Sequence, residues 1–172
     1  MKNRLLLLFI ISIFIIIFII FYKGLKNTNV YTPDIKINKE VPSFTSELFY
    51  SNEVIKSKEI FDLDKFYLLN VWSSWCVPCR KEHTFLMNFK ESKKIEVVGI
   101  NYKDKKINAE NFLIELGNPY KKIIFDQKGI IAIEWGAYGV PETFLIKDKV
   151  IIKRYIGPLD EKTAKEIKSI IK

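Results

Sequence analysis

The first hydrophobic pattern along the chain is an unbroken apolar run near the N-terminus. Every residue from Leu5 to Tyr22 is apolar except Ser12. As a helix this run rises about 27 Å, close to the roughly 30 Å thickness of a bilayer's hydrocarbon core. No small-residue cleavage site follows it. Residues 1–22 are therefore predicted to form an uncleaved signal anchor whose membrane span is the apolar run, with a cleaved secretory signal as the alternative.

A polar stretch follows the apolar run. Residues 23–38 have no apolar periodicity and contain Pro33, so they are predicted to be a tether. Basic residues lie on both sides of the apolar run, and the Lys/Arg bias therefore does not decide which end of the span stays inside. Residues 39–172 are enough for one globular domain.

Within this domain, short apolar runs alternate with apolar residues at helical spacing. Buried strands are predicted at residues 67–72 and 95–100. A helix is predicted to begin near Cys76, because Pro78 is tolerated only in a first turn, and a second helix is predicted to end at Gly117. The order strand, helix, strand, helix favours parallel pairing through right-handed crossovers.

The pattern changes in the second half of the domain. A short strand is predicted at residues 122–125 and a helical turn at residues 129–135. Two further strands, residues 143–146 and 150–155, flank a Lys-Asp-Lys turn that is typical of a hairpin. A last helix is predicted with Asp160 as its N-cap. Together these elements predict an α/β fold, a mixed sheet flanked by helices and preceded by one transmembrane helix.

The charge of the chain adds little to this assignment. The sequence has 28 Lys and Arg residues against 20 Asp and Glu residues, a formal net charge of +8. Only Arg4, Arg80 and Arg154 are arginines, the residue whose forked guanidinium reads bases and phosphates best. The lysines are spread along the chain and predict a solvated surface. Nucleic acid is therefore not an expected partner, whereas attraction to anionic lipid or to an acidic partner stays open.

The candidate chemistry lies in the two cysteines of the sequence, Cys76 and Cys79, where the first strand of the domain gives way to the first helix. A thiol in the first turn of a helix faces unpaired N–H groups and the positive end of the helix dipole, and both favour the reactive thiolate. A second thiol three residues on lies on the same side of the helix and can resolve a mixed disulfide internally. This arrangement favours redox chemistry.

Two other uses of the cysteines, a zinc site and a purely structural disulfide, are less well supported by the sequence. A closed zinc site needs four ligands, and the two thiols with His83 fall short, so no metal and no other cofactor is expected. A purely structural disulfide between residues three apart closes a very short loop and removes little unfolded-state entropy. The context of strand, Trp, CxPC and helix makes the redox interpretation strong.

Four segments of the domain resemble a known family. They are residues 69–83 (LNVWSSWCVPCRKEH), 98–104, 115–120 and 139–146. They resemble the thioredoxin superfamily, and more closely its periplasmic thiol:disulfide interchange branch for cytochrome c maturation, the DsbE/CcmG type. The resemblance implies a thioredoxin-like fold and a reductant held in the bacterial inner membrane, with its domain facing the periplasm.

The resemblance also implies roles for individual residues. Cys76 corresponds to the attacking thiol and Cys79 to the resolving thiol of the redox-active disulfide. Pro141 is expected in cis, and Val140, Pro141 and Glu142 are expected where a substrate backbone would run. The residue before the attacking cysteine, Trp75, is expected either to offer a flat apolar face to a partner or to pack into the core.

Two acidic residues are candidates for tuning the thiols. Many thioredoxins have a buried Asp six residues before the attacking cysteine, where this chain has Asn70. Glu82 lies three residues after Cys79 on the same helical face and is the candidate replacement base, with a solvated surface position as the alternative. Glu142 is expected either to place a charge beside the thiols, opposing thiolate formation and attracting basic partner segments, or to be an exposed turn residue. His83 is expected to be a surface or packing residue.

The function expected from these features is reduction of a disulfide by the Cys76/Cys79 dithiol. By resemblance, the substrate is the CxxCH segment of apocytochrome c or a maturation partner that carries its thiols, and a membrane thiol transporter returns the electrons. One alternative is a general anchored reductase of other exported proteins. Another is a non-catalytic binding module with a fixed disulfide.

Overall fold

The structure is a computed structural model that describes residues 2–26, 37–51 and 53–172. The chain separates into two compact units divided between residues 32 and 33. Most of the predicted tether, residues 27–36, lies outside the described residues. The tether and the domain boundary at residue 39 therefore stay predictions.

The described residues of the N-terminal unit form one helix, α1 (Lys2–Lys26), which continues beyond the predicted end of the anchor at residue 22 into the first four residues of the predicted tether. Within it, Asn3–Gly24 has a mean hydropathy of 3.3 and is long and apolar enough to cross a membrane. The apolar side chains of this stretch are exposed. Exposed apolar side chains over this length are what a membrane-spanning helix presents to lipid.

The second unit is built on strands and helices that alternate along the chain. Its strands are β1 (Thr45–Glu47), β2 (Val54–Lys56), β3 (Phe66–Trp72), β4 (Ile95–Tyr102), β5 (Lys122–Asp126), β6 (Glu142–Lys147) and β7 (Val150–Ile156). Its helices are α2 (Val77–Lys90), α3 (Lys106–Leu116), α4 (Ile130–Glu134) and α5 (Glu161–Ile170), with a short 3-10 turn at Ser57–Glu59.

Five of the strands form one mixed sheet in the order β5-β4-β3-β6-β7. β3 pairs in parallel with β4, and β4 pairs in parallel with β5, as the strand-helix order predicts. β6 is antiparallel to both β3 and β7. The mixed sheet predicted from the sequence is thus confirmed, and β3, the strand that leads to the cysteines, is its central strand.

The sheet is covered on both faces because its strands are apolar on both faces. One face packs against α2, α3 and α5 through residues such as Leu86, Phe112 and Ile167. The other face packs against α4 and the segment that precedes β3, through residues such as Trp135 and Phe61. Alternate residues of β3 serve the two cores, so every second residue of this strand lies beneath α2.

The two outer strands of the sheet are paired with the segment that precedes β3. At β7, the Asn38 N–H donates to the Ile151 carbonyl at 2.7 Å, and the Ile151 N–H donates to the Lys39 carbonyl at 3.0 Å. At β5, the Phe49 N–H donates to the Ile123 carbonyl at 2.9 Å. The chain from residue 38 to residue 49 therefore contacts both edge strands of the sheet before β3 begins.

Several local predictions are confirmed. α2 begins directly after Cys76, and Gly117 ends α3 with a positive φ of 85°. Asp148 and Lys149 both have positive φ, as a tight two-residue hairpin turn requires. Asp160 caps α5 by accepting a hydrogen bond from the Thr163 N–H at 2.8 Å. β1 and β2 were not predicted from the sequence; each is three residues long and largely exposed.

Candidate active site

The two cysteines lie at the N-terminal end of α2 and are joined by a disulfide, with their Cα atoms 5.3 Å apart. Cys76 is the N-cap, and its Sγ accepts a hydrogen bond from the Cys79 N–H at 3.0 Å. Pro78 lies in the first turn, where its missing N–H costs no intrahelical bond. The backbone therefore already aims an N–H at the position where a Cys76 thiolate would carry its charge.

Neither sulfur is widely open in this disulfide form. Cys76 is 4% exposed and Cys79 is 2% exposed. The neighbours Trp75 and Val77 are both largely exposed. The disulfide is therefore flanked in the sequence by two exposed apolar side chains.

Glu82 is buried beneath the first turns of α2 and is 0% exposed. Its Oε1 accepts a hydrogen bond from Asn70 Nδ2 at 2.8 Å, and its Oε2 accepts one from the Leu159 N–H at 2.8 Å. The alternative of a solvated surface position is thus excluded. The carboxyl lies on the same helical face as Cys79, three residues away.

Burial raises the pKa of Glu82 from its usual value of 4.5 to about 7, because the charged form is desolvated. The hydrogen bonds from the Leu159 N–H and from Asn70 oppose this effect by stabilising the carboxylate. A carboxyl with a pKa near neutrality exchanges a proton readily at physiological pH, which is the property required of a general acid or base.

Asn70 is the centre of the polar network below the thiols. Besides its bond to Glu82, it donates through Nδ2 to Thr143 Oγ1 at 3.0 Å, and its Oδ1 accepts from the Tyr120 hydroxyl at 2.9 Å. All four of these side chains are buried. Asn70 thus replaces the expected carboxylate with a neutral group that positions Glu82.

The Tyr120 ring reaches this network because β4 has no side chain at Gly99. A Cβ atom at Gly99 would lie 2.8 Å from Trp72 Nε1 and 3.0 Å from Tyr120 Cδ1. The two rings stack with centroids 5.3 Å apart over this position. The aromatic packing therefore depends on glycine in the strand.

The loop before β6 carries the expected proline. The Val140–Pro141 peptide bond is cis, as the resemblance implied. In the register of β6 with β3, Glu142 pairs with Val71, so Pro141 lies at the end of the sheet that leads to the cysteines. Among the described residues, no hydrogen bond uses the backbone N–H or carbonyl of Val140.

The expectations for Glu142 are corrected by the structure. Glu142 is 1% exposed, and both its oxygens are occupied. Its Oε2 accepts from Arg154 Nε at 2.8 Å, and its Oε1 accepts from the Tyr138 N–H at 2.8 Å. Arg154 also donates to the Gly136 carbonyl at 2.8 Å. A buried carboxylate that is neutralised by a buried guanidinium neither attracts a basic partner segment nor forms an exposed turn.

The structure also shows whether Trp75 and His83 are exposed or packed in the core. Trp75 is 57% exposed and donates through its indole Nε1 to the Lys103 carbonyl at 3.1 Å, so it does not pack into the core. His83 is a packing residue: it is buried, its Nε2 donates to the Gly117 carbonyl at 2.9 Å, and its ring meets the edge of Phe112. Burial lowers the pKa of His83, which favours the neutral ring.

The comparison with protein families decides what this site belongs to. The Redoxin family model matches residues 36–171, nearly the whole of the second unit. The chain belongs to the Redoxin family.

Relatives of this Redoxin chain are thiol:disulfide interchange proteins. It is 41% identical to DsbE of Tatumella citrea over 131 residues, which cover 76% of this chain and 70% of that protein. It is 36% identical to DsbE of Haemophilus influenzae over 169 residues, covering 94% of this chain and 91% of that protein. The chain is a thiol-disulfide oxidoreductase of the DsbE kind.

Solved structures share the fold. A crystal structure of a candidate DsbE from Chlorobium tepidum superposes with a TM-score of 0.67 at 23% identity, covering 81% of this chain and all of that one. The Redoxin domain thus has the thioredoxin-like fold that the sequence predicts.

The reduced protein is predicted to react first at Cys76. Its sulfur accepts a hydrogen bond from the Cys79 N–H and lies at the positive end of the α2 dipole, whereas Cys79 belongs to the buried face of that helix. Reduced protein given a limiting amount of iodoacetamide should carry the label on Cys76, as located by peptide mass spectrometry. Labelling that begins at Cys79 would reverse the two roles.

The raised pKa of Glu82 predicts a pH-dependent stability. Between about pH 4.5 and pH 7 the folded chain holds a proton at Glu82 that the unfolded chain releases, so the free energy of unfolding falls as the pH rises, by about 3 kcal/mol in total. Glu82→Gln should lack this fall. Guanidinium unfolding of the oxidised wild type and of Glu82→Gln from pH 4 to pH 8 measures how the free energy of unfolding depends on pH in each, with Glu91→Gln, at the exposed C-cap of α2, as control. Equal slopes in wild type and Glu82→Gln would contradict the shift.

Proposed function

We propose that the chain is a membrane-anchored reductant for cytochrome c maturation. In this proposal α1 crosses the bacterial inner membrane once and the Redoxin domain lies in the periplasm. The observation that carries the proposal is the CxxC disulfide at the start of α2 in a chain 41% identical to a DsbE protein. The DsbE/CcmG type, which residues 69–83 resemble, serves this pathway.

The proposed reaction moves two electrons from the Cys76/Cys79 dithiol to a substrate disulfide. The Cys76 thiolate attacks one substrate sulfur, a mixed disulfide forms, and the other substrate sulfur leaves as a thiolate. The Cys79 thiolate then attacks Cys76 Sγ, which closes the Cys76–Cys79 disulfide and releases the second substrate thiol. The product on the enzyme is the disulfide that the structure contains. A membrane thiol transporter is the proposed source of the two electrons that regenerate the dithiol.

Glu82 is the proposed base for the second step. The Cys79 thiol must lose a proton before it attacks, and it lies on the same buried face of α2 as the Glu82 carboxyl. A pKa of about 7 lets Glu82 accept that proton, directly or through water, and later release it. No other carboxyl is hydrogen-bonded to Asn70 among the residues that the structure describes.

Glu82→Gln is therefore predicted to slow the second step and to spare the first. The mixed disulfide should resolve at least about tenfold more slowly, and a tenfold effect is somewhat below what a general base usually contributes. The rate of the first attack by Cys76 should change little. Quenched-flow trapping of the mixed disulfide with a model peptide separates the two rates. A resolution rate equal to that of wild type would show that Glu82 has no part in proton transfer.

The proposed substrate contacts are Trp75, Val140 and Pro141. The Trp75 ring is exposed next to Cys76, and the backbone of Val140 offers an N–H and a carbonyl that no described residue uses. An extended substrate segment can pair with that backbone as an added strand while its disulfide meets Cys76. Glu142 supports this loop from below through Arg154 and does not meet the substrate.

The preferred substrate distinguishes the proposal from its alternatives. Reduced protein should reduce an oxidised apocytochrome CxxCH peptide at least about tenfold faster than insulin, which corresponds to about 1.4 kcal/mol of contact beyond the sulfur atoms. Trp75→Ala should lower this ratio. Equal rates for the two substrates would instead indicate a general anchored reductase, and no exchange with either would indicate a binding module with a fixed disulfide.

A further inference from the structure

Another buried carboxylate, Asp104, lies in the loop between β4 and α3. Asp104 is 5% exposed. Its Oδ2 accepts from the Ser74 N–H at 2.6 Å and from Asn101 Nδ2 at 3.0 Å. Its Oδ1 accepts from Ser74 Oγ at 2.8 Å and from the Lys105 N–H at 2.8 Å. The two oxygens thus accept four hydrogen bonds, which is about the full capacity of a carboxylate.

These four bonds join three parts of the chain. Ser74 lies two residues before Cys76, Asn101 belongs to β4, and Lys105 is the N-cap of α3. Bonds to a buried, charged acceptor are shorter and stronger than neutral ones. The loop that leads into the active site is therefore held to the neighbouring strand and helix mainly through one side chain.

The loop between β4 and α3, which contains Asp104, also contacts the Trp75 side chain. The Lys103 backbone has a left-handed φ of 45°, and its N–H donates to the Asp126 carbonyl at 3.0 Å. Its carbonyl accepts the Trp75 indole N–H at 3.1 Å. Trp75 is largely exposed, whereas Trp72 and Trp135 are fully buried. The position of the exposed indole thus depends on how Lys103 is placed against Ser74, which is what Asp104 determines.

We propose that Asp104 is a positioning residue that holds Trp75 in the orientation in which a polypeptide substrate meets it beside Cys76. The inference rests on the proposed function in one respect, that Trp75 contacts the substrate. It assigns substrate discrimination partly to a side chain that no partner touches. A small disulfide, which reacts at the sulfur without spanning the indole, depends on Asp104 much less than a polypeptide does.

Asp104→Asn tests this role with almost no change of shape. In either orientation of the new amide, its NH2 group faces a backbone N–H, that of Ser74 or that of Lys105, so at least one hydrogen bond is lost. Asp148→Asn is the matched control. Asp148 also accepts a backbone N–H from a distant segment, that of Asp64 at 2.8 Å, but it lies in the β6–β7 turn at the opposite end of the sheet from Cys76.

The first measurement follows the three tryptophans of the whole protein in detergent by ¹⁹F NMR after labelling with 5-fluorotryptophan. Trp75→Phe assigns the resonance of Trp75. In Asp104→Asn we expect this resonance to move toward its position in the unfolded chain while those of Trp72 and Trp135 stay in place. In Asp148→Asn all three should stay in place. A Trp75 resonance that does not move in Asp104→Asn overturns the proposal.

The second measurement compares substrates. With an oxidised CxxCH peptide and with insulin, Asp104→Asn should raise KM about tenfold and leave kcat within about threefold of wild type. The fold-decrease in rate with oxidised glutathione should be at least about five times smaller than the fold-decrease in kcat/KM with the two polypeptides. Equal losses with all three substrates would mean that Asp104 supports only the thiols, which also overturns the proposal. The effect is expected with both polypeptides, so a wild-type protein that does not prefer the cytochrome peptide contradicts the proposed function and leaves this inference standing.

Should the resonances of Trp72 and Trp135 also move in Asp104→Asn, the change has spread beyond the loop. Ser74→Ala then provides the test, because it removes only the bond from Ser74 Oγ and keeps the other three. The same selective shift of Trp75 and the same difference between polypeptide and small disulfide, both smaller, are expected. Their absence in Ser74→Ala overturns the proposal.

Discussion

The burial of the Glu82 carboxyl is the constraint on which the active site depends. Placing a carboxyl in an apolar core disfavours its charge, and the group is tolerated because donors from two other parts of the chain meet it. One donor is Asn70 on the central strand, and the other is the Leu159 N–H that precedes α5. The first turns of α2, which carry the cysteines, are thereby held to the sheet and to the C-terminal segment through a single acid.

The cis-proline loop is held by a different means, a buried ion pair between Glu142 on β6 and Arg154 on β7. Arg154 lies 3% exposed between Glu142, the Gly136 carbonyl and the ring of Tyr138, whose centroid is 4.4 Å from the guanidinium carbon. Losing either partner of such a pair leaves an uncompensated buried charge. Glu142 of β6 and Arg154 of β7 are therefore paired with each other behind the loop and offer it no free charge.

Most of the fold could be predicted because its signals are local. Apolar runs mark β3 to β7, and a helix-ending Gly117, a Lys-Asp-Lys turn and the Asp160 cap mark boundaries. The partners of Glu82 and Glu142 could not be predicted. Leu159 is 77 residues from Glu82. A two-residue turn predicts that Phe144 pairs with Lys153, but a register shift between Leu145 and Ile146 pairs it with Arg154. No glycine marks that irregularity in the sequence.

The segment that precedes β3, residues 38–49, covers part of both edges of the sheet. An unpaired edge strand is a template for β-sheet growth between molecules, and a membrane-spanning helix would confine copies to two dimensions. Here Phe49 occupies the edge of β5 and residues 38–41 occupy the first part of β7. The rest of β7 carries the irregular register and Lys153, which is paired with Glu166 on α5. Both edges of the sheet thus have features that oppose pairing with the strands of a second copy.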